Sequence, residues 1–175
     1  AASKKATEVM AHSYAHLYDL THDPEHQAAL TVSGPDGAGR IHRAFQIPRT
    51  HADLVARRRA YKIWSESTFG FLGRSPDYMA SGIAGFAAMP DVFAGAVFDG
   101  RDNLAAYHRR MATGDLYQAF TITNPQIDRT KAASEQEEND LFLRVVAERD
   151  GGIVVRGAKM IGTAAVFGDE VIVGT

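Results

Sequence analysis

The chain contains no cysteine. That absence removes disulfides, thiolate nucleophiles, and cysteine-ligated zinc or iron–sulfur clusters together. No apolar run approaches the ~20 residues of a membrane-spanning helix, so no membrane partner is expected. The opening, Ala1-Ala2-Ser3-Lys4-Lys5, lacks the apolar core of a signal peptide and does not begin with methionine. A trimmed amino terminus and a cytoplasmic location are the resulting expectations. A basic excess is missing too: the formal net charge is −2, which argues against a nucleic-acid partner. No Gly-x-Ser-x-Gly elbow, Walker loop or dinucleotide fingerprint is present, and hydrolase, nucleoside triphosphatase and Rossmann readings lose their usual support.

What is present describes a core-forming chain, 45% apolar and 23% charged over 175 residues. That length suits one domain, or one domain and the beginning of another. The single basic cluster, Arg57-Arg58-Arg59, is flanked by periodic apolar residues and reads as a solvated helix face. Of seven histidines, His12 and His16, and His22 and His26, share the i, i+4 spacing that can bind zinc. Neither pair carries the glutamate pattern of a metalloprotease helix, and both read as surface histidines.

The first half has helical periodicity. Ala6, Val9, Met10, Ser13, Tyr14, Leu17 and Leu20 predict one helix, with Asp23-Pro24 as a nearby boundary. Gly34 to Gly39 is a sharp turn between β-compatible runs at 29–32 and 41–47, predicting a hairpin-like excursion. Thr50 is a helix cap with Asp53 three residues on, followed by Leu54, Tyr61 and Trp64 and an end near Phe69-Gly70. Ser75-Pro76-Asp77 starts another helix, with serine as cap and Met79, Ile83 and Phe86 along one side. A fourth spans 102–112, with Gly114 as its stop.

After Gly114 the period shortens to that of strands. Runs at 116–123, 141–147, 153–159 and 166–173 predict four, the middle two joined through the hairpin signal Asp150-Gly151. The polar span 130–139 reads as a surface loop. The expected architecture is therefore α+β, helices first and then an antiparallel sheet. The division is a helical domain over 1–114, with its β excursion near 29–47, and a second, incomplete domain over 115–175.

Two hexapeptides concentrate chemistry. In Gly73-Arg74-Ser75-Pro76-Asp77-Tyr78, glycine permits a tight turn and Arg74 offers forked, permanently charged donors. Tyr78 follows at i+4, near the positive end of a helix, where a phenolate or carboxylate would be stabilised. An Arg74–Asp77 or Arg74–Asp128 salt bridge that fixes the turn is equally compatible. In Asn124-Pro125-Gln126-Ile127-Asp128-Arg129, Asn-Pro initiates a turn, and Gln126 can donate to or accept from a heterocycle edge. Asp128-Arg129 can instead close the loop on itself.

These hexapeptides, in order with Gly151-Gly152-Ile153-Val154-Val155-Arg156-Gly157-Ala158-Lys159, resemble the 4-hydroxyphenylacetate 3-hydroxylase family, the two-component flavin-dependent phenol hydroxylases. The likeness also takes in Tyr18-Asp19 and the region of Trp64. It implies a fold like that of acyl-CoA dehydrogenases: an amino-terminal helical domain, a central β-barrel and a carboxy-terminal helical bundle. This chain would stop inside the barrel and be inactive alone. The implied activity is ortho-hydroxylation of a phenol by O2 and FADH2, with FAD reduced by a separate NAD(P)H-flavin reductase, in a homotetramer. The resemblance points to Arg74 and Tyr78 as catalytic and substrate-binding residues, and to Phe120 as a third substrate-binding position. It points to Phe120, Thr121, Ile122, Thr123, Gln126, Ile127, Asp128, Arg129 and Thr163 as flavin-binding residues.

One departure stands out. Relatives usually carry histidine four residues before Asn-Pro, where it meets the substrate hydroxyl, whereas this chain has Phe120, which cannot stabilise a phenolate. Two other readings stay open. One is a flavin-dependent dehydrogenase or dehydratase on the same fold, whose iron–sulfur branch the lack of cysteine disfavours. The other is a non-catalytic fragment.

Overall fold

The computed structural model describes residues 2–95, 98–125, 127–128, 130–132, 135–136 and 141–174. By internal contacts the chain separates into two compact units, Ala1–Tyr117 and Gln118–Thr175.

The first unit is helical. Helix α1 (Ala2–His22) carries Leu17 and Leu20 inward. They join Leu30, from the short α2 (Gln27–Leu30), and Ala60 and Trp64, from α3 (His51–Ser67), in one apolar cluster. Each large side chain so buried stabilises the fold by roughly 1.5–3 kcal/mol. Val9 and Leu54, although at helical spacing, are exposed: the periodic stripe is wider than the surface available to cover it.

Between α2 and α3 the excursion is a small antiparallel pair, β1 (Thr31–Ser33) and β2 (Arg40–His42), with Thr31 opposite His42. The second arm was expected to continue to residue 47. Instead it leaves the extended state at Arg43–Phe45, a 3-10 turn that buries Ala44 and Phe45. Thr50 caps α3 as expected: its hydroxyl accepts from the Asp53 amide, and the Asp53 carboxylate accepts from the Thr50 amide. Of the arginine cluster, Arg58 and Arg59 are exposed, but Arg57 reaches back to donate to the Gln46 carbonyl.

Helix α3 ends where Phe69 and Gly70 take positive φ (53° and 72°). Helix α4 (Asp77–Ala88) buries Met79, Ala80, Ile83 and Ala84, while Phe86 stays exposed. Its cap position is Pro76, and no side chain caps it, so the expected serine cap does not form. Helix α5 (Arg101–Gly114) runs two residues beyond the expected 112, and Asp115, not Gly114, takes the left-handed conformation that ends it (φ 46°). No helix among the described residues is long and apolar enough to cross a membrane.

The second unit holds β3 (Gln118–Thr121), β4 (Arg144–Arg149), β5 (Gly152–Arg156) and β6 (Glu170–Val173). β4 and β5 form the antiparallel hairpin that Asp150-Gly151 signals, with a register shift between Val145 and Ala147. β3 and β6, however, pair in parallel, Gln118 opposite Glu170 and Thr121 opposite Val173. That corrects the antiparallel expectation. A tight turn dictates antiparallel pairing only for neighbours in sequence, and the long connection from β3 to β6 gives β6 room to return in the same direction. Among the described residues these strands form two separate pairs and no closed barrel. Half of the expected loop at 130–139 falls outside the described residues.

Candidate functional site

The predicted site residues fall into two groups, one in each unit. In the helical unit, Arg74 and Tyr78 lie on the approach to α4 and its first turn. The Tyr78 amide donates to the Ser75 carbonyl, winding the chain into the helix (3.2 Å). That i, i+4 spacing sets the Arg74 guanidinium over the Tyr78 ring, 4.8 Å from its centroid. The ion pairs of the described residues do not include Arg74, so the alternative reading, a salt bridge to Asp77 that fixes the turn, is not met. Gly73 is not the source of the turn either: its φ is ordinary, and an added Cβ would meet nothing within 4 Å.

Two residues not expected at the site hold this segment. Tyr14 from α1 and Tyr117, just after α5, both donate their hydroxyls to the backbone carbonyl of Arg74, at 2.9 and 2.7 Å. Their rings lie 5.2 Å apart. Burial, and then the neighbouring Tyr14 hydroxyl, hold the Tyr117 phenol well above its usual range, so it remains a neutral donor. The signal in the sequence was a tyrosine at an inward helical position, whose hydroxyl must find an acceptor once buried. Beside them, burial raises the Asp77 carboxyl above the usual carboxylate range, against the opposing pull of Ser75 and its own amide. The Asp77 Oδ1 is buried without a partner.

In the second unit the segment 120–123 is enclosed on both sides. Across one side it pairs with β6, and the Gly174 amide donates to the Thr121 carbonyl (3.0 Å). Across the other, the Met160 amide donates to the Thr123 carbonyl (2.8 Å), and the Thr121 hydroxyl donates to the Met160 carbonyl. Gly162 passes so close that an added Cβ would stand 2.3 Å from the Phe120 carbonyl oxygen. This approach brings the segment that carries Thr163 alongside the backbone of Phe120 and Thr121, a proximity spacing alone could not show. The Phe120 ring lies against Gly174, as does the Ile122 side chain, consistent with alternate residues sharing a face.

Ile122, Thr123, Ile127 and Thr163 are exposed. Asp128 closes its loop: Oδ1 accepts from the Thr130 amide (2.9 Å) and hydroxyl (2.7 Å), which hold the carboxyl below its usual range. Gln126 and Arg129 lie outside the described residues. Among the described residues, two side-chain amides have buried atoms without partners, both ends of Gln118 and the Oδ1 of Asn124.

The model of the 4-hydroxyphenylacetate 3-hydroxylase amino-terminal region matches residues 1–175, and the chain belongs to that family. It is 37% identical to the "4-hydroxyphenylacetate 3-monooxygenase oxygenase component" of Thermus thermophilus, over 90% of this chain and 31% of that protein. It therefore spans about a third of that relative's length. Among solved structures, a triple mutant of HpaB complexed with FAD superposes with a TM-score of 0.84 at 37% identity, covering 92% of this chain and 32% of the other. HpaB complexed with FAD and 4-hydroxyphenylacetate does so with a TM-score of 0.78 at 38% identity, covering 85% and 30%. The mixed helix and strand architecture is thus the one shared with these oxygenase components.

Proposed function

We propose that this chain is the amino-terminal part of the oxygenase component of a two-component, FADH2-dependent monooxygenase that hydroxylates a phenol. The observation that carries this reading is the Arg74–Tyr78 stack, held at the start of α4 with no carboxylate among the described residues paired to the arginine, in a chain of this family. A guanidinium in that state favours the ionised phenol. Ionisation makes the carbon ortho to the oxygen electron-rich, which is what hydroxylation needs. Tyr78 would hydrogen-bond the same oxygen.

The second unit supplies a surface that suits a flavin. Ile122, Thr123 and Thr163 offer exposed apolar and hydroxyl contacts. The unpaired amides of Asn124 and Gln118 leave hydrogen-bonding capacity in the same segment. Reduced FAD, when bound, would supply the electrons that let O2 deliver one oxygen atom to the ring and the other to water. Phe120, Thr121, Gln126, Ile127, Asp128 and Arg129 complete the proposed flavin-lining set, although Asp128 is also a loop-closing residue. A separate flavin reductase, a central barrel completed by further chain, tetrameric assembly and a cytoplasmic setting belong to the same proposal.

The test uses the full-length protein, with FADH2 supplied by an unrelated flavin reductase, isotopically labelled O2 and 4-hydroxyphenylacetate or 4-nitrophenol. A labelled ortho-diol is the expected product. Substrate-driven bleaching of oxidised FAD without O2 uptake would favour a dehydrogenase, and absence of FAD binding would favour a non-catalytic protein.

A further inference from the structure

Apart from Leu72, which packs against the core cluster, the connection carrying Arg74 has little packing of its own. Phe69 and Phe71 are 88% and 89% exposed, and Phe69 and Gly70 hold left-handed backbone. Among the described residues no carboxylate ties the guanidinium down either. Its contacts are the Tyr78 ring at 4.8 Å and a long hydrogen bond to the Gly73 carbonyl at 3.4 Å. What places it is its own backbone. The Arg74 carbonyl oxygen has two lone pairs, and a buried tyrosine hydroxyl occupies each: Tyr14 at 2.9 Å and Tyr117 at 2.7 Å. Both tyrosines are only 4% exposed, and their rings pack 5.2 Å apart. One is anchored in α1, whose neighbours are core leucines; the other follows the left-handed end of α5. An exposed, charged side chain thus hangs from a peptide group clamped to the interior of the unit.

We propose that Tyr14 and Tyr117 are positioning residues for phenol recognition: their hydroxyls fix the Arg74 peptide so that the guanidinium stays over Tyr78 and can meet a phenolate oxygen. This rests on the reading of Arg74 as the phenolate-binding group. The division of labour is physical. Holding the arginine by a carboxylate would neutralise the charge the ligand needs, whereas holding it by its backbone leaves that charge available. Two neutral donors do this without adding a competing anion.

The experiment uses the full-length protein with oxidised FAD and 4-nitrophenol, whose ionised form absorbs in the visible. Binding and the ionisation of the bound phenol are followed against pH for the wild type, Arg74→Ala, Tyr14→Phe, Tyr117→Phe and the double phenylalanine variant. In the wild type the bound phenol should ionise at lower pH than the free phenol, and Arg74→Ala should abolish that shift. The double variant should weaken 4-nitrophenol binding about tenfold, as expected for two lost hydrogen bonds, and move the ionisation back toward that of the free phenol. FAD affinity should be unchanged.

If the double variant unfolds, the two single variants should each show part of the effect. A protein that merely melts at lower temperature, with phenol affinity and ionisation intact, would overturn the proposal, because a purely architectural clamp predicts that pattern. If Arg74→Ala itself leaves the bound phenol unaltered, the reading of Arg74 falls, and the proposal falls with it.

Discussion

His42 and Trp64 stack face to face, with 4.0 Å between ring centroids and 17° between planes. Both rings are buried, and His42 Nε2 and Trp64 Nε1 have no hydrogen-bond partner. His42 Nδ1 accepts from the Ala44 amide (3.1 Å), so the neutral ring carries its proton on Nε2.

Burial, and secondarily the charge of Arg43, push the His42 pKa down from 6.5 to about 3. The unfolded chain therefore takes up a proton near pH 6.5 that the folded chain refuses. The stability associated with neutral His42 is complete above pH 6.5 and is lost as the pH falls toward 3, by about 1.4 kcal/mol per pH unit at most. Thermal unfolding between pH 7.5 and 5 should show this slope, and His42→Phe should flatten it. An unchanged slope in the variant would assign the acid sensitivity elsewhere.

Asp77 behaves in the opposite sense. Burial raises its carboxyl pKa in the folded state, so the group favours folding most below its unfolded value and costs stability once the pH rises past the folded one. Asp77→Asn should raise the melting temperature at pH 7, with the gain shrinking as the medium is acidified. A variant less stable at pH 7 would show that the charge at the start of α4 outweighs its desolvation.

Arg74→Ala should harm phenol binding far more than FAD binding, since truncating one partner of a desolvated charge pair costs roughly 2–5 kcal/mol. Arg74→Lys should fall between, because lysine keeps the charge but loses the planar stack on Tyr78. Equal losses for both ligands in isothermal titration would mark Arg74 as a structural residue.

Phe120→His should raise turnover of simple 4-hydroxyphenyl acids relative to more hydrophobic or halogenated phenols, if the Phe120 position meets the substrate. The competing outcome is packing: the ring rests against Gly174, and an imidazole there would be left unsatisfied. Lower stability with no change in substrate preference would select that outcome.

Local chemistry was legible in the sequence. The Thr50–Asp53 capping box, the Asp150-Gly151 hairpin and the helical spacing of Leu17, Leu20 and Trp64 depend on residues near one another in the chain. Short-range sterics and periodicity are sufficient to read them. The order of three motifs also carried the family and named Arg74 and Tyr78, whose i, i+4 spacing at a helix start brings guanidinium and ring together. Other features required the tertiary structure. The parallel return of β6 beside β3, the passage of Gly162 over Phe120, and the meeting of Tyr14 and Tyr117 on one carbonyl all join residues far apart in the chain. Nothing in the local propensity of either partner encodes such a meeting. It is decided by which buried groups still need a partner once the core has closed.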